Sequence, residues 1–329
     1  MRLIRKMIRL CFLFLLSGVS ASYAQQSSQC LAVITEINGK ALFKEAGMSQ
    51  FSKATWGTRL FRADQVATSD KSEVKLLYSD NSIVTLGPNS MITISGGETP
   101  VTESMGDVKR VSSSLGINLS SFSFKKDEGK DVGALAGVRS ITPGQTIEPE
   151  SPYNTLIKTD RPTFSWSAKL PYDNYTVNLY NSKGLVWSRK ISGTALKFPE
   201  GEKGLVFGES YIWNIEGESN IETDKSANHK FTLLTPEKSR DVSEQESVIR
   251  NTFIEDAENS TLHSVLGAYY IDMGLIQDAI REFQTISEMN ADAPLPHEIL
   301  GSLYSEVGEK DKAISELQIA LKLTNSKGN

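Results

Sequence analysis

Leu266-Gly267-Ala268-Tyr269-Tyr270-Ile271-Asp272-Met273-Gly274 is followed, 34 residues later, by Leu300-Gly301-Ser302-Leu303-Tyr304-Ser305-Glu306-Val307-Gly308, with Leu-Gly, Tyr and Gly in the same places. The register continues through Ala279 and Ala313 and through Phe283 and Leu317. An offset of 34 residues is the period of a helix-turn-helix solenoid unit, and such units usually bind proteins rather than perform chemistry. Gly267 and Ala279 let the two helices of a unit approach closely, and Gly274 allows the sharp turn between them. Tyr270 and Phe283 are expected to fill the gap between neighbouring units.

These positions resemble the signature of tetratricopeptide repeats, with units expected at about 260–293 and 294–327 in a helical module over 241–325. His263 and His297 replace the bulky aromatic often found near the start of a unit, and the usual closing proline is displaced to Pro294. Ser243-Glu244-Gln245-Glu246 has the capping-box form, which predicts a preceding helix from Ser243 to about Ala257. Two units are fewer than such an array normally needs, so that helix, the neighbouring β domain or a second copy of the chain is expected to cover the ends.

The resemblance implies an inner groove lined by the first helix of each unit. It places Ser264, Ala268, Ile271 and Asp272 there from the first unit, and Glu298, Ser302, Ser305 and Glu306 from the second. That lining is acidic and small, with no Lys or Arg, and a desolvated terminal carboxylate needs the opposite sign. A neutral or basic segment is the expected occupant, and a simple solvated face is the competing expectation.

Upstream the hydrophobic period is two. Ala41 and Phe43, Val74, Leu76 and Tyr78, Val84 and Leu86, and Ile92 and Ile94 alternate with polar residues, with turns at Asn38-Gly39 and Ser79-Asp80-Asn81. This predicts a small all-β domain built on an antiparallel sheet with one buried face. The series Asp64-x-Val66-x-Thr68, Ser72-x-Val74-x-Leu76-x-Tyr78-x-Asp80-x-Ser82 and Leu86-x-Pro88-x-Ser90-x-Ile92 resembles the FecR domain over about residues 39–94. Gly137-Val138-Arg139 looks like that family's closing segment, which extends the FecR-like domain to 25–142. Asn81 stands where the family usually has Gly, and Ser140 departs from its ending. The resemblance implies a bacterial envelope module. The signalling role of the best-known member does not carry over, because its cytoplasmic part and spanning helix have no counterpart here. Between Ser95 and Val132 the family pattern is lost, and a loosely packed extension is expected, with strands at Leu115 to Leu119 and at Phe122 to Phe124.

Glu148-Pro149-Glu150-Ser151-Pro152 disfavours helix and central strand, so 143–152 reads as a linker. Thr163 to Trp166, Tyr175 to Tyr180, Leu185 to Trp187, Tyr211 to Ile215 and Lys230 to Leu234 then predict a β-sandwich over 153–236, similar to fibronectin type III-like or immunoglobulin-like modules. The fold class expected is therefore multidomain: two all-β domains followed by an all-α tetratricopeptide-type module.

Arg2, Arg5, Lys6 and Arg9 precede the apolar run Leu10 to Leu16 and Ser22-Tyr23-Ala24, which describes a secretory signal over 1–24 and an exported, periplasmic or envelope-associated protein. Loss of those four cations takes the formal charge from −5 to −9, which argues against nucleic-acid binding. Cys30 is the single cysteine outside the signal, so no intrachain disulfide is expected.

Three histidines, with no His-Glu-x-x-His, Cys-x-x-Cys, Gly-x-Ser-x-Gly or phosphate loop, predict no catalytic site, metal or cofactor. The leading expectation is a non-enzymatic envelope scaffold whose repeats recruit a protein partner. Its competitor is a cell-wall or polysaccharide binder that uses the β modules, with repeats for self-association. An exposed Trp56 would favour that reading, and Trp166, Trp187 and Trp213 would be its stacking residues if they were not core.

Overall fold

The computed structural model describes residues 30–95, 101–111, 146–220, 222–253 and 259–326. The expected signal, the strands expected within 115–124 and Gly137-Val138-Arg139 lie outside the described residues. The chain divides into two compact units, residues 1–113 and 114–329.

Ten strands build the first unit: β1 Ala32–Asn38, β2 Ala41–Lys44, β3 Ser52–Lys53, β4 Arg59–Leu60, β5 Gln65–Thr68, β6 Glu73–Tyr78, β7 Ile83–Leu86, β8 Met91–Ile94, β9 Val101–Met105 and β10 Val108–Val111. They form two five-stranded sheets, ordered β10-β7-β6-β1-β4 and β3-β2-β5-β8-β9. Ile34, Val74, Leu76, Val84 and Leu86 of the first sheet share one core with Ala41, Val66, Ile92 and Ile94 of the second. Each of these Val, Leu and Ile side chains, taken out of water, contributes about 2 kcal/mol. The expectation of one sheet with a single buried face is thus corrected, because each sheet closes on the other. Val101–Met105 and Val108–Val111, expected in a loose extension, pair with β8 and β7. The turns behave as their residues require: Gly39 has φ 91° and Asn81 has φ 65°, the left-handed region that Gly and Asn enter most readily.

The second unit begins with β11 Ile147–Ser151, β12 Thr155–Ile157, β13 Thr163–Ala168, β14 Asn174–Asn181 and β15 Gly184–Ile191. β16 Ala195–Lys197, β17 Ser210–Glu218, β18 Thr223–Lys225 and β19 His229–Leu233 follow. One sheet is ordered β11-β13-β16, and the other β12-β19-β17-β14-β15 with β18 on β17. Phe164, Val177, Leu179, Trp213, Ile215 and Phe231 fill the space between them. The segment expected as a linker instead contributes β11, whose Pro149 lies opposite Trp166 of β13. β11 is an edge strand, the place in a sheet where a residue without an N–H is tolerated.

Five helices complete this unit: α1 Pro236–Thr252, α2 Ser260–Asp272, α3 Ile276–Met289, α4 Pro294–Val307 and α5 Lys310–Ser326. The expected N-cap at Ser243 is corrected. Thr235 caps α1, accepting from the Lys238 N–H at 3.3 Å, with Pro236 in the first turn, where its missing N–H costs nothing. Ser243 lies inside α1 and donates to the Ser239 carbonyl.

The fold class expected from the sequence, two separate β domains and then a separate tetratricopeptide module, is corrected accordingly. Among the described residues there are nineteen strands in four sheets and then five helices, and the helices share one compact unit with the second pair of sheets.

His229 in β19 is buried, with the Tyr153 ring 4.1 Å away and Trp213 beyond it at 6.4 Å. Burial disfavours the imidazolium and pulls its pKa from 6.5 down to about 4. The stability that the neutral ring preserves is complete above pH 6.5 and declines as pH falls toward about 4, because the unfolded chain takes up the proton first. Discounted for the solvent that reaches the ring, the loss is about 2 kcal/mol. Urea melts across this pH range should show it, and His229→Phe should flatten the dependence.

Candidate interaction surface

The helices pack as two hairpins, α2 with α3 and α4 with α5, and α1 lies against α2. Asn259 caps α2, its side chain accepting from the Leu262 N–H at 2.7 Å. The hairpin turns carry Gly274 at φ 69° and Gly308 at φ 95°. The close approach expected at Gly267 is present and recurs at Gly301. A Cβ on Gly267 would lie 2.8 Å from a ring carbon of Phe283, and one on Gly301 would lie 2.7 Å from Leu317 Cγ. Phe283 therefore packs within its own hairpin.

A second correspondence joins the hairpins. His263 Nδ1 lies 2.6 Å from Glu282 Oε2, and His297 Nδ1 lies 2.6 Å from Glu316 Oε2. Each pair spans 19 residues, tying the first helix of a hairpin to the second. Each histidine, expected as the replacement for a bulky aromatic near the start of a unit, is instead paired with a carboxylate of the second helix.

The segment between β11 and β13 fastens these hairpins to the sandwich. Asn154 Nδ2 donates to the Val307 carbonyl at 2.8 Å, and the Leu156 N–H reaches the Gly274 carbonyl at 3.4 Å. Just beyond β12, the Lys158 ammonium pairs with Glu246 of α1, donates to the Tyr270 hydroxyl of α2 at 3.1 Å and lies 3.7 Å from Asp278 of α3. Tyr270 also donates to Glu246, and Arg281 pairs with Asp278. Burial drives the Asp278 carboxyl upward, against the pull of Arg281 and Lys158, and drives the Tyr270 phenol strongly upward as well. One lysine of the β region thus serves three helices.

The eight residues expected to line a groove divide. Ser264 and Ala268 are fully buried, and the Ser264 hydroxyl is spent on the Ser260 carbonyl at 2.5 Å, so neither lines an open surface. Ile271 and Glu298 are half-buried. Asp272, Ser302, Ser305 and Glu306 are exposed. The open part of the expected lining is therefore two carboxylates and two hydroxyls, three of these four side chains on α4. No group of His, Cys, Asp and Glu able to hold a metal ion occurs among the described residues.

Trp56, Trp166 and Trp213 are buried at 2%, 2% and 0% exposure. Trp187 is half-buried, its ring 5.0 Å from that of Phe198. The aromatic platform that would have favoured a glycan ligand is therefore core.

No protein-family model matches the chain, and no curated protein matches it. Among solved structures it is similar to the beta-1,2-glucanase from Parabacteroides distasonis, at 10% sequence identity and a TM-score of 0.24 over 91% of this chain. The matched part spans 58% of that structure's chain, and a likeness of this depth carries no argument for fold or activity. Among the described residues no helix is long and apolar enough to cross a membrane.

Proposed function

We propose that this chain is an exported, non-enzymatic interaction protein of the bacterial envelope. Its C-terminal helices present the surface that recruits a protein partner, and its β regions serve as docking and spacing elements. The observation that carries this reading is that α4, packed on α3 and tied to the β region by Asn154 at the Val307 carbonyl, keeps Ser302, Ser305 and Glu306 exposed. A surface held in place before binding spends less free energy on ordering when a partner arrives. The secretory pattern of 1–24 and the resemblance of 39–94 to FecR domains support the envelope location. The carboxylates of Asp272 and Glu306 favour a neutral or basic segment in the partner.

Affinity capture from envelope extracts tests this proposal. Asp272→Lys with Glu306→Lys is expected to lower recovery of the partner at least about tenfold, since reversing two charges opposes a complementary surface. The far-ultraviolet circular dichroism spectrum, recorded alongside, checks that the helices of the variant remain folded. Equal recovery by both proteins would remove this face from the function.

A further inference from the structure

The two hairpins differ in one respect. On α3, Ile280 is 5% exposed and Phe283 is fully buried, and the next residue along this face, Gln284, donates from Nε2 to the Tyr304 hydroxyl of α4 at 2.9 Å. α4 packs against α3, with Gln284 exposed and Ser287 half-buried on this face. The same positions on α5, 34 residues on, are Ile314, Leu317 and Gln318, and the position of Ser287 is taken by Leu321. Ile314 is 40% exposed and Leu321 is 62% exposed. Leu317 is half-buried. Spacings of i, i+3, i+4 and i+7 place the four on one stripe of the helix. The stripe is more apolar than its counterpart on α3, because Leu replaces Ser, and the principal helix packed on α5 among the described residues is its hairpin partner α4.

We propose that this stripe of α5 is a self-association surface, and that its occupant is α5 of a second copy of the chain, lying antiparallel across a two-fold axis. The stripe is self-complementary in that orientation. Centred between Leu317 and Gln318, the pairing sets Ile314 of one copy against Leu321 of the other at both ends. It also brings the Gln318 amide, which can donate and accept at once, close to its own symmetry mate. Charge agrees with the orientation. Asp311, which also lies in the field of Lys169, and Lys322 are both exposed and fall on the same flank of the stripe. A two-fold axis returns that flank to itself, so Asp311 of each copy faces the Lys322 end of the other. A parallel pairing, with its two-fold axis along the helices, would send each copy's charged flank to the opposite side of the seam and lose this match. On α3 the counterpart of Ile314, Ile280, is buried, whereas Gln284 is exposed and Ser287 half-buried, so the contrast between the hairpins rests on Ile314 and Leu321.

Sedimentation velocity over a concentration series, with the protein lacking residues 1–24, tests the proposal. The parent is expected to show a concentration-dependent dimer. Ile314→Glu with Leu321→Glu, both at exposed positions, should raise the dissociation constant at least about tenfold while the helical signal is unchanged. In a Cys30→Ser background, Gln318→Cys should cross-link to its own mate on oxidation. A parent that stays monomeric throughout, a dimer indifferent to the two glutamates, or a dimer that leaves Cys-substituted position 318 unlinked would each overturn the assignment. The exposed face of α4 is untouched by these changes, so partner recruitment stands or falls separately.

Discussion

Replacing Lys158 by Met is expected to destabilise the second unit by about 3 kcal/mol, in the range found when one partner of a buried ion pair is removed. The cost comes from what stays behind. Glu246 is left without its cation, Asp278 keeps only Arg281, and the carboxylates of both are largely out of water, at 17% and 9% exposure. Met matches the length of the lysine stem and preserves its packing on the Tyr270 ring, so the loss isolates the charge. Guanidinium unfolding followed by tryptophan fluorescence, which reports the sheets, and by far-ultraviolet circular dichroism, dominated by the helices, distinguishes two cases. In the parent the two transitions should coincide. In Lys158→Met the helical transition should come first, because the clamp is the charged part of the contacts that couple the helices to the sandwich. A triple replacement of Lys158, Glu246 and Asp278 by apolar residues should recover much of the loss, since no charge is then stranded.

Trp213→Ala is expected to cost about 4 kcal/mol, a value typical of a large aromatic removed from a core. Trp213 is fully buried between the two sheets of the second unit, with the Phe164 ring 4.9 Å away. Its indole N–H donates to the Pro152 carbonyl at 2.7 Å, two residues before Asn154, which reaches α4. The substitution therefore removes core volume and frees a buried carbonyl in the segment that carries the helices. A fall in midpoint with the denaturant slope unchanged would place the effect in the folded state. Trp213→Phe should restore part of the packing and none of the hydrogen bond.

Much of this architecture was readable from local pattern. The period-two runs at Val74 to Tyr78 and at Val84 to Leu86 became β6 and β7, and Tyr175 to Tyr180 lies in β14. Gly274 and Gly308 mark the turns between helices, and Gly267 and Gly301 mark close approaches. What stayed hidden depended on partners far apart in sequence. Alternation shows that a strand has one apolar face, but not that a second sheet covers it, so the two-sheet closure of the first unit was missed. Pro149 and Pro152 rule out a central strand yet permit an edge strand, and the edge was the outcome. Ser243 and Glu246 satisfied the capping-box spacing, but Thr235 with Pro236 begins the helix seven residues earlier, which frees Glu246 for Lys158.

The candidate surface was readable in part for the same reason. The tetratricopeptide resemblance implied eight lining residues on α2 and α4, and half of those eight are exposed. Burial of Ser264 and Ala268 depends on tertiary packing, which no spacing within one helix can reveal. Lys158 lies 88 residues from Glu246 and 120 from Asp278, and no local pattern relates them. The two His-Glu pairs recur at one separation of 19 residues, but the sequence reading of the histidines as replacements for an aromatic did not connect them to Glu282 and Glu316.

Photo-cross-linking in cells, from a photoreactive residue placed at Ser302, tests the central claim most directly. A discrete adduct with one envelope protein, absent when the probe sits at exposed Lys238 on α1, is the result predicted. The same adducts from both positions, or none from Ser302, would contradict the claim that α4 presents the recruiting surface.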